Sequence, residues 1–148
     1  MPRERNISNL RTEKEGITIL KELMKGFIVP TPVERRKLYE LCNIDYRKYS
    51  RSVDGVQLLV PSISQIKSSK DFLFIEIKTT KAQNVTTLPF GVFFGFTKNE
   101  EDLFKAQKNF RLCIVHTVHK KYYCLKYREY LSMIQNKRIQ YQINFRSQ

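Results

Sequence analysis

Glu76 and Lys78 end the most apolar run of the sequence and are the residues best placed to do chemistry. The run, residues 71–78, has the composition of a central strand that is apolar on both faces. Side chains alternate faces along a strand, so Glu76 and Lys78 are predicted to share one face with Phe72 and Phe74. Ionisable side chains are costly to bury there unless they are paired or bind a metal. The pattern therefore indicates a charged functional site at the end of a buried strand.

Asp54 is the acid expected to join this pair. It stands just before a second strand candidate, residues 56–60, which Pro61 ends. Two adjacent strands would bring Asp54 and Glu76 to one edge of a sheet. Asp71 is closer along the sequence, but it lies on the same strand as Glu76 at roughly 16 Å, too far to share one ion. Asp71 is therefore rejected as the second acid.

The other elements follow from helix and strand patterns. Capping boxes predict helices that start at Thr12 and, with proline in the first position, at Thr31. Further helices are predicted after a cap at Thr97 and near residues 129–134, and further strands at residues 92–96, 112–115, 122–127 and 139–145. Helices first, then strands with inserted helices, indicate a mixed α/β (α+β) fold built on one main sheet. Residues 1–148 are expected to form a single domain.

The charge of the chain indicates a polyanionic partner. Lys and Arg number 27 against 14 Asp and Glu, a formal net charge of +13. Residues 104–148 hold ten of the basic residues and one acid, Glu129. A second basic group comprises Arg35, Arg36, Lys37, Arg47, Lys48 and Arg51. Such a surface attracts nucleic acid through its phosphates, so DNA is the expected partner, although a basic protein without a specific partner is the simpler alternative.

Other features favour a cytoplasmic protein. No stretch reaches the roughly 18 uninterrupted apolar residues that a membrane helix needs. Cys42, Cys113 and Cys124 are odd in number and widely spaced, as expected of reduced thiols rather than a disulfide framework. Without a Cys-x-x-Cys pair, and with His116 and His119 as the only histidines, a structural zinc site is not expected.

Asp54, followed by Phe74-Ile75-Glu76-Ile77-Lys78, resembles the signature of the PD-(D/E)xK nuclease superfamily. That superfamily includes restriction endonucleases, Holliday junction resolvases and many repair nucleases. The later stretch Phe96-Thr97-Lys98-Asn99-Glu100, before a predicted helix and strand, is similar to the back half of restriction-type members. The resemblance covers about residues 12–127, and one departure is Val53, which stands where the motif has proline. It implies a restriction-endonuclease-like core, a mixed central sheet flanked by helices.

The resemblance also implies a function, that of a magnesium-dependent DNA endonuclease. Asp54, Glu76 and the main-chain carbonyl of Ile77 would hold Mg²⁺, with Mn²⁺ as the expected substitute, because hard oxygen ligands suit such ions. The metal would polarise the phosphodiester and activate a water molecule. Lys78 would orient that water or stabilise negative charge in the transition state. Restriction enzymes usually act as two-fold dimers that cut one strand per subunit, so a homodimer is expected.

Several other residues are candidates for a role at the site. Family members often add an acid from the first helix, and Glu13 is the candidate here because Glu15 has the capping role. Gln83 could touch phosphate or water, but local hydrogen bonding is the expected use of a loop glutamine. His116 and His119 are given no catalytic role. Residues 100–102 are interpreted as acids that complement the N-terminus of a helix.

Three other functions stay open at this stage. A Holliday junction resolvase or another structure-specific nuclease would use the same chemistry on a different substrate. A non-catalytic nucleic-acid-binding domain of the same fold is disfavoured because Asp54, Glu76 and Lys78 are all present. A structural or assembly protein would not need a charged pair at the end of an apolar strand.

Overall fold

The computed structural model describes the backbone of residues 2–148 and the side chains from Thr12 onward. The helices are α1 Pro2–Leu23, α2 Pro32–Leu41, α3 Tyr46–Tyr49, α4 Lys98–Ala106 and α5 Tyr127–Met133. The strands are β1 Phe27–Ile28, β2 Gly55–Leu58, β3 Phe72–Thr80, β4 Phe110–His116 and β5 Lys121–Leu125, with 3₁₀ turns at Ile63–Gln65 and Ser69–Asp71. Within the described residues, no helix is long and apolar enough to cross a membrane.

The strands form one mixed sheet in the order β1-β2-β3-β4-β5. Neighbouring strands are antiparallel except for β3 and β4, which run parallel. A parallel pair needs a long crossover, and residues 81–109 with helix α4 provide it. Gly55 pairs with Ile75, so Asp54 stands beside the middle of β3, on the neighbouring strand that the sequence predicted. The predicted mixed α/β class, with one sheet flanked by helices, is confirmed.

The two faces of β3 belong to two different apolar layers. Phe72 and Phe74 pack in a core that includes residues of α2, α4 and α5. Ile75 and Ile77 face the opposite layer, which helix α1 covers. This confirms the predicted alternation, and it places Glu76 on the same face as the larger, aromatic core.

Gly16 sets how closely helix α1 approaches β3. A Cβ atom at this position would lie 2.9 Å from the Cγ2 atoms of both Ile77 and Thr79. Only a residue without a side chain fits this approach unless the helix or the strand shifts. Glu13 stands about one turn before Gly16, so the same contact fixes where the Glu13 side chain can reach.

The predicted helix starts are confirmed at two positions and wrong at the first. Thr31 and Thr97 both cap their helices, each with the reciprocal bond of a capping box. Helix α1 instead begins at Pro2, so Thr12 lies inside it. Residues 3–15 contain no proline or glycine, so nothing ends the helix before Thr12. A Thr-x-x-Glu spacing also occurs inside helices, where it carries no information about a start.

Two predicted strands are wrong. Residues 92–96 lie in the crossover between β3 and β4 and form no strand, because both sides of β3 are already paired. Their alternating pattern instead arises because Phe94 and Phe96 pack against the core while Phe93 is exposed. Residues 139–145 have no regular structure and are exposed. Alternation predicts a strand only when another strand pairs with it, and within the described residues none does.

Candidate active site

Asp54 binds the main chain of β3 at the point where β2 begins. Its N–H donates to the carbonyl of Ile75 at 2.9 Å, and its Oδ2 accepts from the N–H of Ile77 at 2.7 Å. The N–H and C=O groups of one strand residue point toward the same neighbouring strand. The Ile77 carbonyl therefore points toward Asp54, as its N–H does. The structure thus brings the three predicted metal ligands, Asp54, Glu76 and Ile77, close together where β2 begins beside the central strand.

Glu76 is almost completely buried, with 3% of its surface exposed. Its Oε1 lies 3.4 Å from the Lys78 ammonium, while its Oε2 has no hydrogen-bond partner among the described residues. Leaving a buried oxygen without a partner costs about 1–3 kcal/mol. When Glu76 is ionised, its Oε2 therefore lacks an interaction, which either a proton or a cation would supply.

The protonation of Glu76 is coupled to that of Glu100. Burial, a hydrogen bond with Glu100 and the nearby charge of Asp54 raise the pKa of Glu76 well above its ordinary value, against the opposing effect of Lys78. Burial would also raise the pKa of Glu100, but the hydrogen bond with Glu76 and the charge of Lys78 lower it overall. Without a cation, the shared proton belongs to Glu76 and the negative charge to Glu100.

Lys78 lies between the two glutamates. Its Nζ donates to Oε1 and Oε2 of Glu100 at 3.3 and 3.1 Å, and it lies 5.5 Å from the centre of the Phe96 ring. Burial alone would lower the pKa of Lys78, but the charges of Glu76 and Glu100 raise it above its ordinary value. The side chain is therefore a cation held in a partly dry site.

Glu100 was missed as a site residue. Its predicted role at a helix N-terminus is present, because it completes the capping box of α4 with Thr97. It is also buried, with 6% of its surface exposed, and it contacts the functional pair on β3. A capping glutamate turns back toward the start of its helix, but the sequence does not show which strand that start faces. No local pattern could have identified it.

Glu13 reaches the site from helix α1. A hydrogen bond with Asp54, followed by burial and the charge of Asp54, raises the pKa of Glu13 from 4.5 to about 7. The Glu13 carboxyl therefore keeps its proton to near neutral pH beside Asp54. The structure places this first-helix candidate beside the predicted metal ligand.

Family models, curated proteins and solved structures contain no match to this chain. The function of the site must therefore be inferred from its own geometry and charge.

The acidic residues at the site carry more negative charge than the neighbouring Lys78 can balance. Four acids, Glu13, Asp54, Glu76 and Glu100, surround a single lysine, so full ionisation would leave a large negative excess. Among the described residues, no three His, Cys, Asp or Glu side chains already converge as a metal site. The predicted set contains two carboxylates and a main-chain carbonyl, and Mg²⁺ commonly takes one or two carboxylates with water and phosphate. The unpartnered Oε2 of Glu76 is an oxygen atom that is free to coordinate a metal.

The remaining candidates lie away from this cluster. Asp71, at the opposite end of β3, accepts hydrogen bonds from two main-chain amides of the preceding turn at 2.8 and 3.1 Å. His116 is buried, with Nε2 at 2.9 Å from the Ala82 carbonyl and Nδ1 accepting from the His119 amide at 3.1 Å. These main-chain contacts give His116 a structural role. Gln83 is exposed in the turn after β3.

Exposed cations lie on the elements around the site. The side chain of Asn99 donates to the Lys48 carbonyl at 3.2 Å, which joins α3 to the first turn of α4. Arg47 and Lys48 are thereby held near the helix end that carries Glu100, and both are exposed. Lys81 is exposed just beyond the end of β3.

Two other residues that were predicted to contact DNA already interact with other parts of the protein. Arg35 donates to the Ser50 carbonyl at 3.1 Å, and the Arg36 guanidinium lies 4.8 Å from the Tyr46 ring centre. Both arginines therefore also stabilise the packing of α2 on the neighbouring segment.

The C-terminal segment is tethered beside the site. Lys137 forms an ion pair with Glu101 at 2.7 Å, one residue after Glu100. Beyond it, Arg138 and Arg146 are exposed in a stretch that contains no acid. The tail therefore begins close to the N-terminus of α4 and carries free positive charge.

Proposed function

We propose that this protein is a Mg²⁺-dependent DNA endonuclease of the PD-(D/E)xK type, which hydrolyses phosphodiester bonds. One observation carries the proposal. Asp54 binds the main chain of β3 between Glu76 and Lys78, so an acid before β2 meets an acid and a lysine in the second half of β3. The mixed sheet flanked by helices agrees with the restriction-endonuclease-like core that the sequence resemblance implies.

In this proposal, Asp54, Glu76 and the Ile77 carbonyl hold the metal. When bound, Mg²⁺ would polarise the phosphodiester and lower the pKa of an attacking water. Glu76 must give up its proton before it can ligate, so metal binding would release a proton and leave Glu100 ionised beside Lys78. The Lys78 ammonium then neutralises negative charge that develops on the phosphate, in a site where water screens it little.

The basic surface around α3 and α4 would bind the DNA backbone. Arg47, Lys48 and Lys81 lie near the site and are exposed, as phosphate contacts require. The tail beyond Lys137 would add further phosphate contacts beside the same helix end. Cleavage of both strands would need a second subunit, so the proposal includes a homodimer that acts in the cytoplasm.

The test is cleavage of supercoiled plasmid DNA by the purified protein, with Mg²⁺ and with a chelator. Glu76→Ala and Lys78→Ala are expected to abolish cleavage while DNA binding survives, because the cations that contact phosphates are elsewhere. Glu40→Ala, an exposed acid at the end of α2, is the matched control and should cut at the wild-type rate. Cleavage that persists in both site variants, or that needs no metal, would overturn the assigned site.

The cleavage products separate the related functions. Discrete plasmid fragments would support a restriction-type enzyme, whereas cleavage restricted to four-way junctions would indicate a resolvase. A wild-type protein that binds DNA but cuts neither substrate would instead be a non-catalytic member of the same fold.

A further inference from the structure

The Lys78 ammonium has carboxylate partners from two different elements. Glu76, on its own strand, lies 3.4 Å away, and Glu100, on helix α4, is closer at 3.1 and 3.3 Å. Under the proposed function, Glu76 must bind a metal and cannot remain the main partner of Lys78. Glu100 is then the acid left to hold the ammonium.

Glu100 is built to stay in place when the metal binds. Its Oε1 accepts from the Thr97 amide at 2.8 Å, and its own N–H donates to the Thr97 hydroxyl at 3.1 Å. These two bonds fix the carboxylate against the first turn of α4, where the helix dipole also favours a negative charge. Phe104, which follows on the same helix, is buried in the aromatic core and anchors α4 to the sheet.

We propose that Glu100 is a positioning residue, which holds the Lys78 ammonium over the reacting phosphate after Glu76 has turned to the metal. This inference rests on the proposed nuclease function and adds to it the group that keeps Lys78 in place. Phe96, the residue before the cap, completes the arrangement because its ring lies beside the same ammonium. The start of α4 would therefore position the Lys78 ammonium.

The decisive variant is Glu100→Gln, because glutamine also serves at the third position of a capping box. The substitution keeps the bond to the Thr97 amide and removes the charge that Lys78 contacts. Glu34→Gln is the matched control, since Glu34 completes the equivalent capping box of α2 with Thr31. Both variants should unfold at temperatures close to that of the wild type and close to each other.

We expect Glu100→Gln to lower kcat by about 10- to 100-fold with little change in KM, as is usual when a supporting group is lost. Glu34→Gln should leave both constants unchanged. A Lys78→Met background, in which cleavage is expected to be lost, tests whether Glu100 acts through Lys78 or on the metal. Mn²⁺ affinity, measured by calorimetry in that background, should be the same with glutamate or glutamine at position 100.

Two results would overturn the inference. One is a Glu100→Gln enzyme as fast as the Glu34→Gln control. The other is a loss of Mn²⁺ affinity when Glu100→Gln is added to Lys78→Met, which would make Glu100 a metal ligand instead. Failure of the proposed function looks different, because the wild type itself would neither bind Mn²⁺ nor cut DNA, and the positioning role of Glu100 would be refuted together with it.

Discussion

Replacing Glu76 with methionine should stabilise the metal-free protein while abolishing its activity. Glu76 is a buried acid with one unpartnered oxygen, and removing such an oxygen recovers about 1–3 kcal/mol. Methionine has a similar volume and leaves no cavity. The variant also loses the Glu76–Glu100 hydrogen bond and the 3.4 Å contact of Lys78 with Glu76, while Lys78 keeps its shorter contacts with Glu100. The net gain should therefore fall toward the low end, at about 1–2 kcal/mol, or roughly 2–8 °C in Tm.

The assay is thermal unfolding with a chelator and then with excess Mg²⁺. In the chelator, Glu76→Met should melt above the wild type. In Mg²⁺, the wild type should gain stability, by about 2.7 kcal/mol when the metal is at 100 times its Kd, while the variant gains nothing. Glu40→Met is the control on an exposed acid, and it should shift stability by less than about 0.5 kcal/mol in either condition.

The reasoning is refuted if Glu76→Met destabilises the chelated protein by 2 kcal/mol or more. That result would mean that Glu76 already has all its hydrogen-bond partners within the protein and that it stabilises the fold without binding a ligand. If the variant still gains stability from Mg²⁺, the metal binds at a site that does not include Glu76.

Three further predictions concern the helix, the acids and the tail. Gly16→Ala should lower the free energy of unfolding in urea by about 1–3 kcal/mol, because its Cβ would stand 2.9 Å from two methyl groups of β3, and unchanged stability would contradict that approach. In a chelator, the folded state holds the Glu13 proton more tightly than the unfolded state, so its stabilising contribution is present below pH 4.5 and is lost as pH rises through about 7. Glu13→Gln should flatten that part of a Tm–pH profile, and an unaltered slope would count against the Glu13–Asp54 contact. Deleting residues 138–148 removes Arg138 and Arg146, so the slope of log DNA affinity against log salt should decrease by about 2 while cleavage at saturating DNA is kept. If the truncated protein has the same slope as the full-length protein, the tail does not contact phosphate.

The sequence predicts those parts of the site that one strand and its neighbour determine. Alternation along β3 is a local property, so it correctly placed Glu76 with Phe72 and Phe74, away from Ile75. The register of β2 against β3 then placed Asp54 beside Glu76. Both steps need only strand periodicity and a short connection.

Glu100 and the exact place of Glu13 could not be predicted in the same way. Each depends on how a helix docks on the sheet, which is decided by packing between residues distant in sequence. Glu100 shows a capping pattern that is the same whether the cap faces solvent or β3. The wrong strands, residues 92–96 and 139–145, have the same origin, because alternation does not show whether a pairing partner is available.

The parallel pairing of β3 with β4 has a consequence for when the site first exists during synthesis. β4 spans Phe110–His116 and becomes available only after the whole crossover has been made. Until it docks, one side of β3 stays open to water, and Glu76 is an ordinary ionised acid without an arranged lysine. Pairings that are distant in sequence form late in folding. A nascent chain would therefore carry no organised site, and the burial of Glu76 would mark the completed fold.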